Sequence, residues 1–198
     1  MEGNKVDNGE FAFKGDNQKF QQDLIKSFQL DFKNYYVGVP CPCCQPKERC
    51  DWMKESTYLP DHKLTWANIF VNGNFEYFNK EFVKDFSLYK DICFIGRGNI
   101  DNLPFTPTKH FKTTTNSHIN NVGLIDLIPS YIEENNISNG LFIISAGPFA
   151  NILCSILYPK YPNNTFIDIG SVFDVSQGLG ATRGYLQNSS NINKICIW

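Results

Sequence analysis

The sequence lacks a long uninterrupted hydrophobic run, and Met1 is not followed by the apolar segment of a secretory signal. Its longest apolar stretch, residues 141–157, is interrupted by serine, glycine, proline and asparagine and is too short for a membrane span. These absences predict a cytoplasmic protein with no membrane-spanning segment.

An excess of basic residues is also missing. Lysine and arginine total 18 against 20 acidic residues, which gives a net charge of −2, and the basic residues form no cluster. Nucleic-acid binding needs a patch of cations that neutralises phosphates, so nucleic acid is not an expected partner. The chain has 198 residues, of which 42% are hydrophobic, and it contains no repeat or low-complexity linker. We expect residues 1–198 to form one domain.

Cysteine is too scarce, and odd in number, to indicate a disulfide scaffold: there are seven. Four of them fall within ten residues, at Cys41, Cys43, Cys44 and Cys50. Zinc sites prefer pairs separated by two to four residues, and Cys41 and Cys43 are closer than that. We expect reduced, partly buried thiols here, with a zinc site built from the four cysteines as the alternative.

Hydrophobic spacing predicts alternating helices and strands. Helical spacing occurs in residues 11–33, 64–89, 124–134 and 149–158, and short apolar or β-branched runs indicate strands at 35–39, 92–95, 141–145, 165–171 and 194–198. Several of these strands end at glycine before a helix. This alternation is typical of an α/β fold with a Rossmann-like, mostly parallel sheet flanked by helices.

Candidate site residues follow the strands. The turn at Gly147 leads from a buried strand into a helix N-terminus, where an anion is favoured, although the glycine can equally serve the turn alone. Asp168, near the end of the next strand, is placed to accept a hydrogen bond from a ribose hydroxyl, or to cap a helix or hold a loop. Ser171 follows in the same segment.

Further candidates lie in loops and in the aromatic middle of the chain. Arg97 and Gly98 follow a strand, but the segment lacks the third glycine of a dinucleotide fingerprint; Arg97 is either a phosphate clamp or an ordinary surface arginine. Asn68 and Asn72 share one face if their segment is helical, and there they would contact a sugar, a base or only water. Arg183 lies in a loop that follows two glycines.

Asp7, Asn8 and Glu10 place three oxygen donors within four residues near the amino terminus. A hard divalent cation takes such ligands, and a solvated turn is the alternative.

The order of these features resembles the GT-D-type glycosyltransferases, a Rossmann-like family that uses nucleotide sugars. The family opens with an Asp-x-Glu metal motif and a helix bearing a Phe-Gln pair, which match residues 5–11 and Phe20-Gln21. The segments 37–40, 95–99, 146–148 and 167–171 follow in the family's order. The motif lies close to Met1, so an element that supports it from upstream would fall outside this sequence.

The resemblance implies a metal-dependent transfer of a sugar from a UDP-linked donor to a hydroxyl of a glycan or glycoprotein. Mn²⁺ or Mg²⁺ would be held by Asp7, Asn8 and Glu10, with Glu10 and Asp168 as catalytic residues. Arg97, Gly98, Asn68, Asn72, Gly147, Asp168, Ser171 and Arg183 would bind the donor. Because Asn8 stands where the family has a carboxylate, metal affinity should be weaker. Asp168, Asp174 and Glu76 are equal candidates for the general base.

Two other functions fit parts of the sequence. A Rossmann-like sheet also suits an S-adenosylmethionine or nicotinamide cofactor, which would use the loop at Gly96 and Gly98, although the glycine pattern there is broken. A non-catalytic chain is the other alternative, either a degenerate transferase or an interaction domain held together by zinc at the clustered cysteines.

Overall fold

The computed structural model describes residues 17–187, together with the backbone of two short strands nearer the amino terminus. These strands, β1 (Val6–Asp7) and β2 (Ala12–Phe13), pair antiparallel. Two parallel sheets follow, so the predicted α/β class with a mostly parallel sheet flanked by helices is confirmed.

The larger sheet has four parallel strands in the order β6-β5-β7-β8. They are β5 (Ile92–Gly96), β6 (Lys109–Lys112), β7 (Leu141–Ser145) and β8 (Thr165–Asp168). The two central strands, β5 and β7, have nearly continuous apolar sequences because both of their faces are covered. Alternate side chains along these strands therefore enter two different cores.

One core packs helices against the face that carries Cys93, Ile95, Phe142 and Ile144. The helices on this side are α1 (Gln18–Phe28), α4 (Ser117–Asn120), α5 (Leu124–Glu134) and α6 (Pro148–Lys160). This arrangement leaves the first turn of α6 directly after the carboxyl end of β7.

The other core covers Phe94, Leu141 and Ile143 with an aromatic helical segment. That segment begins with a 3₁₀ turn (Asn72–Asn74) and α3 (Phe75–Tyr77), passes through a π-helical turn (Phe78–Phe82) and ends in 3₁₀ geometry (Val83–Leu88). The result is a three-layer sandwich around the larger sheet.

The smaller parallel sheet pairs β3 (Val37–Val39) with β4 (Leu64–Trp66). Helix α2 (Lys47–Thr57) and a 3₁₀ turn (Asp61–Lys63) connect the two strands, and a last 3₁₀ turn spans Gly184–Gln187. Among the described helices, none combines the length and the apolarity that a bilayer crossing needs.

Several boundaries differ from the sequence predictions. Residues 64–66 form a strand, and Asn68 lies in the turn after it, so the expected helical face of Asn68 and Asn72 was wrong. The first helix begins at Gln18 because Asn17 caps it by accepting the Phe20 N–H. Strand β6 and helix α2 were not predicted. The strand predicted at residues 194–198 lies outside the described residues.

Candidate functional site

A cavity of about 300 Å³ opens at the carboxyl edge of the larger sheet. The loops that follow all four strands contribute to it: Arg97 after β5, Thr113–Thr115 and Ser117 after β6, residues 145–148 at the end of β7, and Gly170, Ser171 and Asp174 after β8, with Leu179 and Arg183 from the next loop. We call this the first cavity. Parallel strands deliver their carboxyl ends to one edge, which is why segments far apart in sequence meet here.

The strand order explains why the cavity lies above β5 and β7. From β5 the chain crosses to β6 on one side, and it later enters β7 on the other side of β5. Loops after two such strands diverge, and the crevice between them is where open α/β sheets bind ligands. Arg97 follows one of these strands and Gly147 the other.

Gly147 forms the sharp turn between β7 and α6, with φ +57° and ψ −147°. This backbone conformation is essentially restricted to glycine. A Cβ at this position would meet nothing within 4 Å, so the space beside the turn is open. The first-turn amide groups of α6 and its helix dipole favour an anion in that space.

Two side-chain hydrogen bonds fix the loops around this turn. The Ser145 hydroxyl donates to the Gly170 carbonyl at 2.8 Å, which joins the end of β7 to the loop after β8. The buried Ser117 hydroxyl donates to the Ala146 carbonyl at 2.8 Å, which joins α4 to the same turn. The walls of the first cavity are therefore connected across three segments.

Among the residues that the structure describes, three charged side chains line the first cavity. The sequence contains three arginines, and two of them, Arg97 and Arg183, line the cavity. The Arg183 guanidinium also donates to the Thr182 carbonyl at 3.1 Å. The third charge is buried Asp174, whose carboxylate accepts from the Thr182 hydroxyl. Two guanidinium groups outnumber the one carboxylate among these described residues, and the helix N-terminus adds partial positive charge.

Gly98 does not line the first cavity, and its role is packing. A Cβ there would lie 2.4 Å from the Gln177 carbonyl oxygen. The Gly98 N–H donates to the Gln177 side chain at 3.1 Å, and the Asn99 N–H donates to the Gln177 carbonyl at 2.9 Å. At Gly96, a Cβ would likewise collide with the Phe94 ring, 2.4 Å away. Since neither glycine opens onto the cavity, the feature that favoured an S-adenosylmethionine or nicotinamide cofactor has a packing explanation.

Asp168 lies in a second, larger cavity of about 550 Å³. Its lining combines aromatic rings, amides and hydroxyls, including Tyr35, Tyr36, Trp66, Tyr158, Asn151, Asn163 and Thr165. Burial raises the pKa of the Asp168 carboxyl to about 6, although the Gly170 N–H, which donates to it at 3.0 Å, acts in the opposite direction. Gly170 also lines the first cavity, so Asp168 is one short backbone segment away from it.

The remaining predicted residues lie elsewhere. The Asn68 and Asn72 amide groups are each 3.8 Å from a cysteine sulfur, those of Cys41 and Cys44 respectively, and line neither cavity. Asn8, Glu10 and the side chain of Asp7 are outside the described residues. Of the predicted donor-binding residues, the structure brings together Arg97, Gly147, Ser171 and Arg183.

Three successive threonines that line the first cavity were not predicted from the sequence. Thr113, Thr114 and Thr115 follow β6, an edge strand whose Lys109, His110 and Lys112 are not buried. Without an apolar run, the strand gave no signal, although three successive hydroxyl-bearing residues were visible in the sequence. Asp174 was considered only as a general base.

No protein-family model matches the chain, and no curated protein sequence is detectably similar to it. Among solved structures, the chain is similar to a protein described as the highly conserved domain of unknown function 1792, with a distinct glycosyltransferase fold. The TM-score is 0.49 and the identity 16%, and the match covers 79% of this chain and 64% of that one. The chain thus spans less than two thirds of that protein.

Proposed function

We propose that this chain is a glycosyltransferase that takes its sugar from a nucleoside-diphosphate donor, specifically a UDP-sugar, and transfers it to a hydroxyl group of a glycan acceptor. The observation that carries the proposal is the first cavity, in which Arg97, Arg183 and the glycine turn before α6 converge on one small space. Two guanidinium groups and a helix N-terminus together match the charge of a diphosphate.

The first cavity suits the departing diphosphate. When the bond between sugar and phosphate breaks, negative charge accumulates on the nucleoside diphosphate, and groups that favour this charge lower the barrier. Arg97 and Arg183 supply forked donors, and the turn at Gly147 lets the backbone approach phosphate oxygens closely. The hydroxyl groups of the threonines that also line the cavity would add neutral donors for the same oxygens.

The second cavity suits the acceptor. Aromatic faces beside amides and hydroxyls are the surfaces that bind sugars, and Asp168 lies among them. A carboxylate whose pKa is about 6 is mostly ionised at neutral pH yet accepts a proton more readily than an ordinary aspartate. We therefore assign Asp168 as the base that deprotonates the acceptor hydroxyl. The other two candidates for the base lie outside the second cavity: Asp174 lines the first cavity, and Glu76 is exposed.

A divalent cation is part of the proposal. Carboxylate and amide oxygens such as those of Asp7, Asn8 and Glu10 are the donor set that Mn²⁺ or Mg²⁺ prefers. When bound there, the ion would neutralise charge on the diphosphate.

The test is calorimetric titration of the purified chain with UDP, with and without Mn²⁺. Hydrogen bonds to charged groups contribute about 1.5–3 kcal/mol each, so Arg97→Ala and Arg183→Ala should each weaken UDP binding roughly ten- to hundredfold. Arg49→Ala is the matched control, because Arg49 is the remaining arginine and lies exposed on α2. Equal affinity in all three variants would contradict the assignment of the first cavity. A stronger response to S-adenosylmethionine or NAD than to UDP would favour the cofactor-binding alternative.

A further inference from the structure

Three cysteine thiols converge at the carboxyl end of the smaller parallel sheet, beside the loop that follows β4. The sulfur atoms of Cys41, Cys43 and Cys44 all lie within 4.8 Å of one another. Neither cavity is lined by any of them. Cys41 is buried, Cys44 is half-buried and Cys43 is exposed, so the group has one side toward solvent.

The backbone brings the thiols together through a tight turn after β3. Pro40 ends the strand, and the N–H groups of Cys44 and Gln45 both donate to the Cys41 carbonyl at 3.1 Å. This turn folds residues 41–44 back on themselves, which overcomes the short Cys41-x-Cys43 spacing that argued against a metal site in the sequence. Helix α2 begins shortly afterwards, at Lys47.

A second loop contributes amide donors to the same sulfurs. Asn68 follows β4 and its side-chain amide lies 3.8 Å from the Cys41 sulfur; the Asn72 amide lies 3.8 Å from the Cys44 sulfur. Donors of this kind stabilise metal-bound thiolates and orient them. Each asparagine comes from a segment 27 or 28 residues away from its cysteine. The fold therefore brings two amide donors to two sulfurs of the cluster.

The separation of the Cys43 and Cys44 sulfurs fits a metal site. With metal–sulfur bonds of about 2.3 Å in a tetrahedral site, two thiolates lie roughly 3.8 Å apart. The Cys43 and Cys44 sulfurs are 3.7 Å apart. The Cys41 and Cys43 sulfurs are 2.9 Å apart, beyond the roughly 2.05 Å of a disulfide. Metal binding requires this pair to widen by roughly 0.9 Å, and Cys43 is its exposed member.

We propose that Cys41, Cys43 and Cys44 bind one Zn²⁺ ion, with water in the fourth position on the exposed side. Three thiolates in this small volume repel one another, and a divalent cation removes that repulsion. Cys50 is not among the three clustered sulfurs, and its thiol faces the Gln45 carbonyl at 3.8 Å. The ion would link the loop after β3 to the asparagine-bearing loop after β4.

The proposal is independent of nucleotide binding and is tested without a nucleotide. The reduced chain is titrated with Co²⁺, whose thiolate complexes absorb strongly, and Zn²⁺ is then added to displace it. We expect saturation at one equivalent of Co²⁺ and loss of the absorption when Zn²⁺ is added.

The key variant is Cys43→Ser, because Cys43 is exposed and its replacement leaves the core intact. It should lose the thiolate absorption, and Asn68→Ala should weaken metal binding by roughly tenfold or more. Cys154→Ala, at a buried cysteine on α6, is the control that should bind as the parent chain does. Absence of Co²⁺ absorption in the reduced parent chain, or its retention in Cys43→Ser, would overturn the proposal.

Discussion

The carboxyl group of Asp168 illustrates how one residue can report on its surroundings. It lies in the second cavity beside Tyr35 and Cys154, where burial also raises the pKa values of the Tyr35 hydroxyl and the Cys154 thiol. All three groups are therefore held toward their neutral forms. This environment favours a proton acceptor that works near neutral pH.

Asp168→Asn tests this environment through stability. The folded carboxyl has a pKa of about 6 against an ordinary value of 3.8, so the folded state binds the proton more tightly than the unfolded state does. Stability from this group is present at low pH and is lost as the pH rises from about 4 to about 6. We expect Asp168→Asn to be more stable than the parent chain above pH 6, with a difference that shrinks as the pH falls. Urea unfolding across this range measures it.

The control for Asp168→Asn is Asp101→Asn, since Asp101 is exposed. A stability difference with the same pH profile in both variants would show that burial of Asp168 is not its cause.

Gly147 and Gly123 form a matched pair for backbone strain. A Cβ would meet nothing within 4 Å at either position, but φ is +57° at Gly147 and −60° at Gly123. Because only Gly147 occupies a conformation that other residues resist, Gly147→Ala should lower the free energy of unfolding by about 1–3 kcal/mol. Gly123→Ala should be neutral or slightly stabilising. Thermal melting distinguishes them, and equal midpoints would contradict the strain at the turn.

At the scale of elements, α5 offers neighbouring positions with opposite environments. Ile128 is 0% exposed and packs in the helical core, whereas the adjacent Leu127 is 54% exposed. Ile128→Ala should cost about 2–5 kcal/mol through lost contacts and a cavity. Leu127→Ala should change stability by less than about 1 kcal/mol, because little of its surface leaves water on folding. Chemical denaturation measures both, and similar losses would mean that α5 packs differently.

The same elements show which parts of the fold the sequence can reveal. Strand β7 and helices α5 and α6 have apolar patterns that only one structure satisfies, and the predicted bounds were close. Edge strand β6 buries only Phe111, and α2 buries only Cys50 and Thr57. Elements with so little buried surface leave a weak hydrophobic pattern, which explains why they were missed.

The candidate site divides in a similar way. Parallel strands bring their carboxyl ends to one edge, so the meeting of Arg97 with Gly147 followed from the predicted topology. The predicted topology does not say which cavity each side chain enters, because successive residues of a strand face opposite sides of the sheet. Asp168 thus opens into the second cavity, while Asp174, from the loop that follows, lines the first.

At the scale of the whole molecule, the arginines are distributed unevenly. The chain carries a net charge of −2, yet two of its three arginines line one cavity of about 300 Å³. Under the proposed function, these two arginines would attract an anionic ligand to this edge of the sheet.

The first cavity takes its walls from four separate loops and its base from a sheet buried on both faces. Loops tolerate substitution far better than the strands that support them. Mutant libraries confined to the cavity-lining positions that are not buried, Arg97, Thr114, Thr115 and Ser171, would therefore vary ligand preference and leave the buried residues beneath unchanged. The architecture makes this protein a practical starting scaffold for directed evolution.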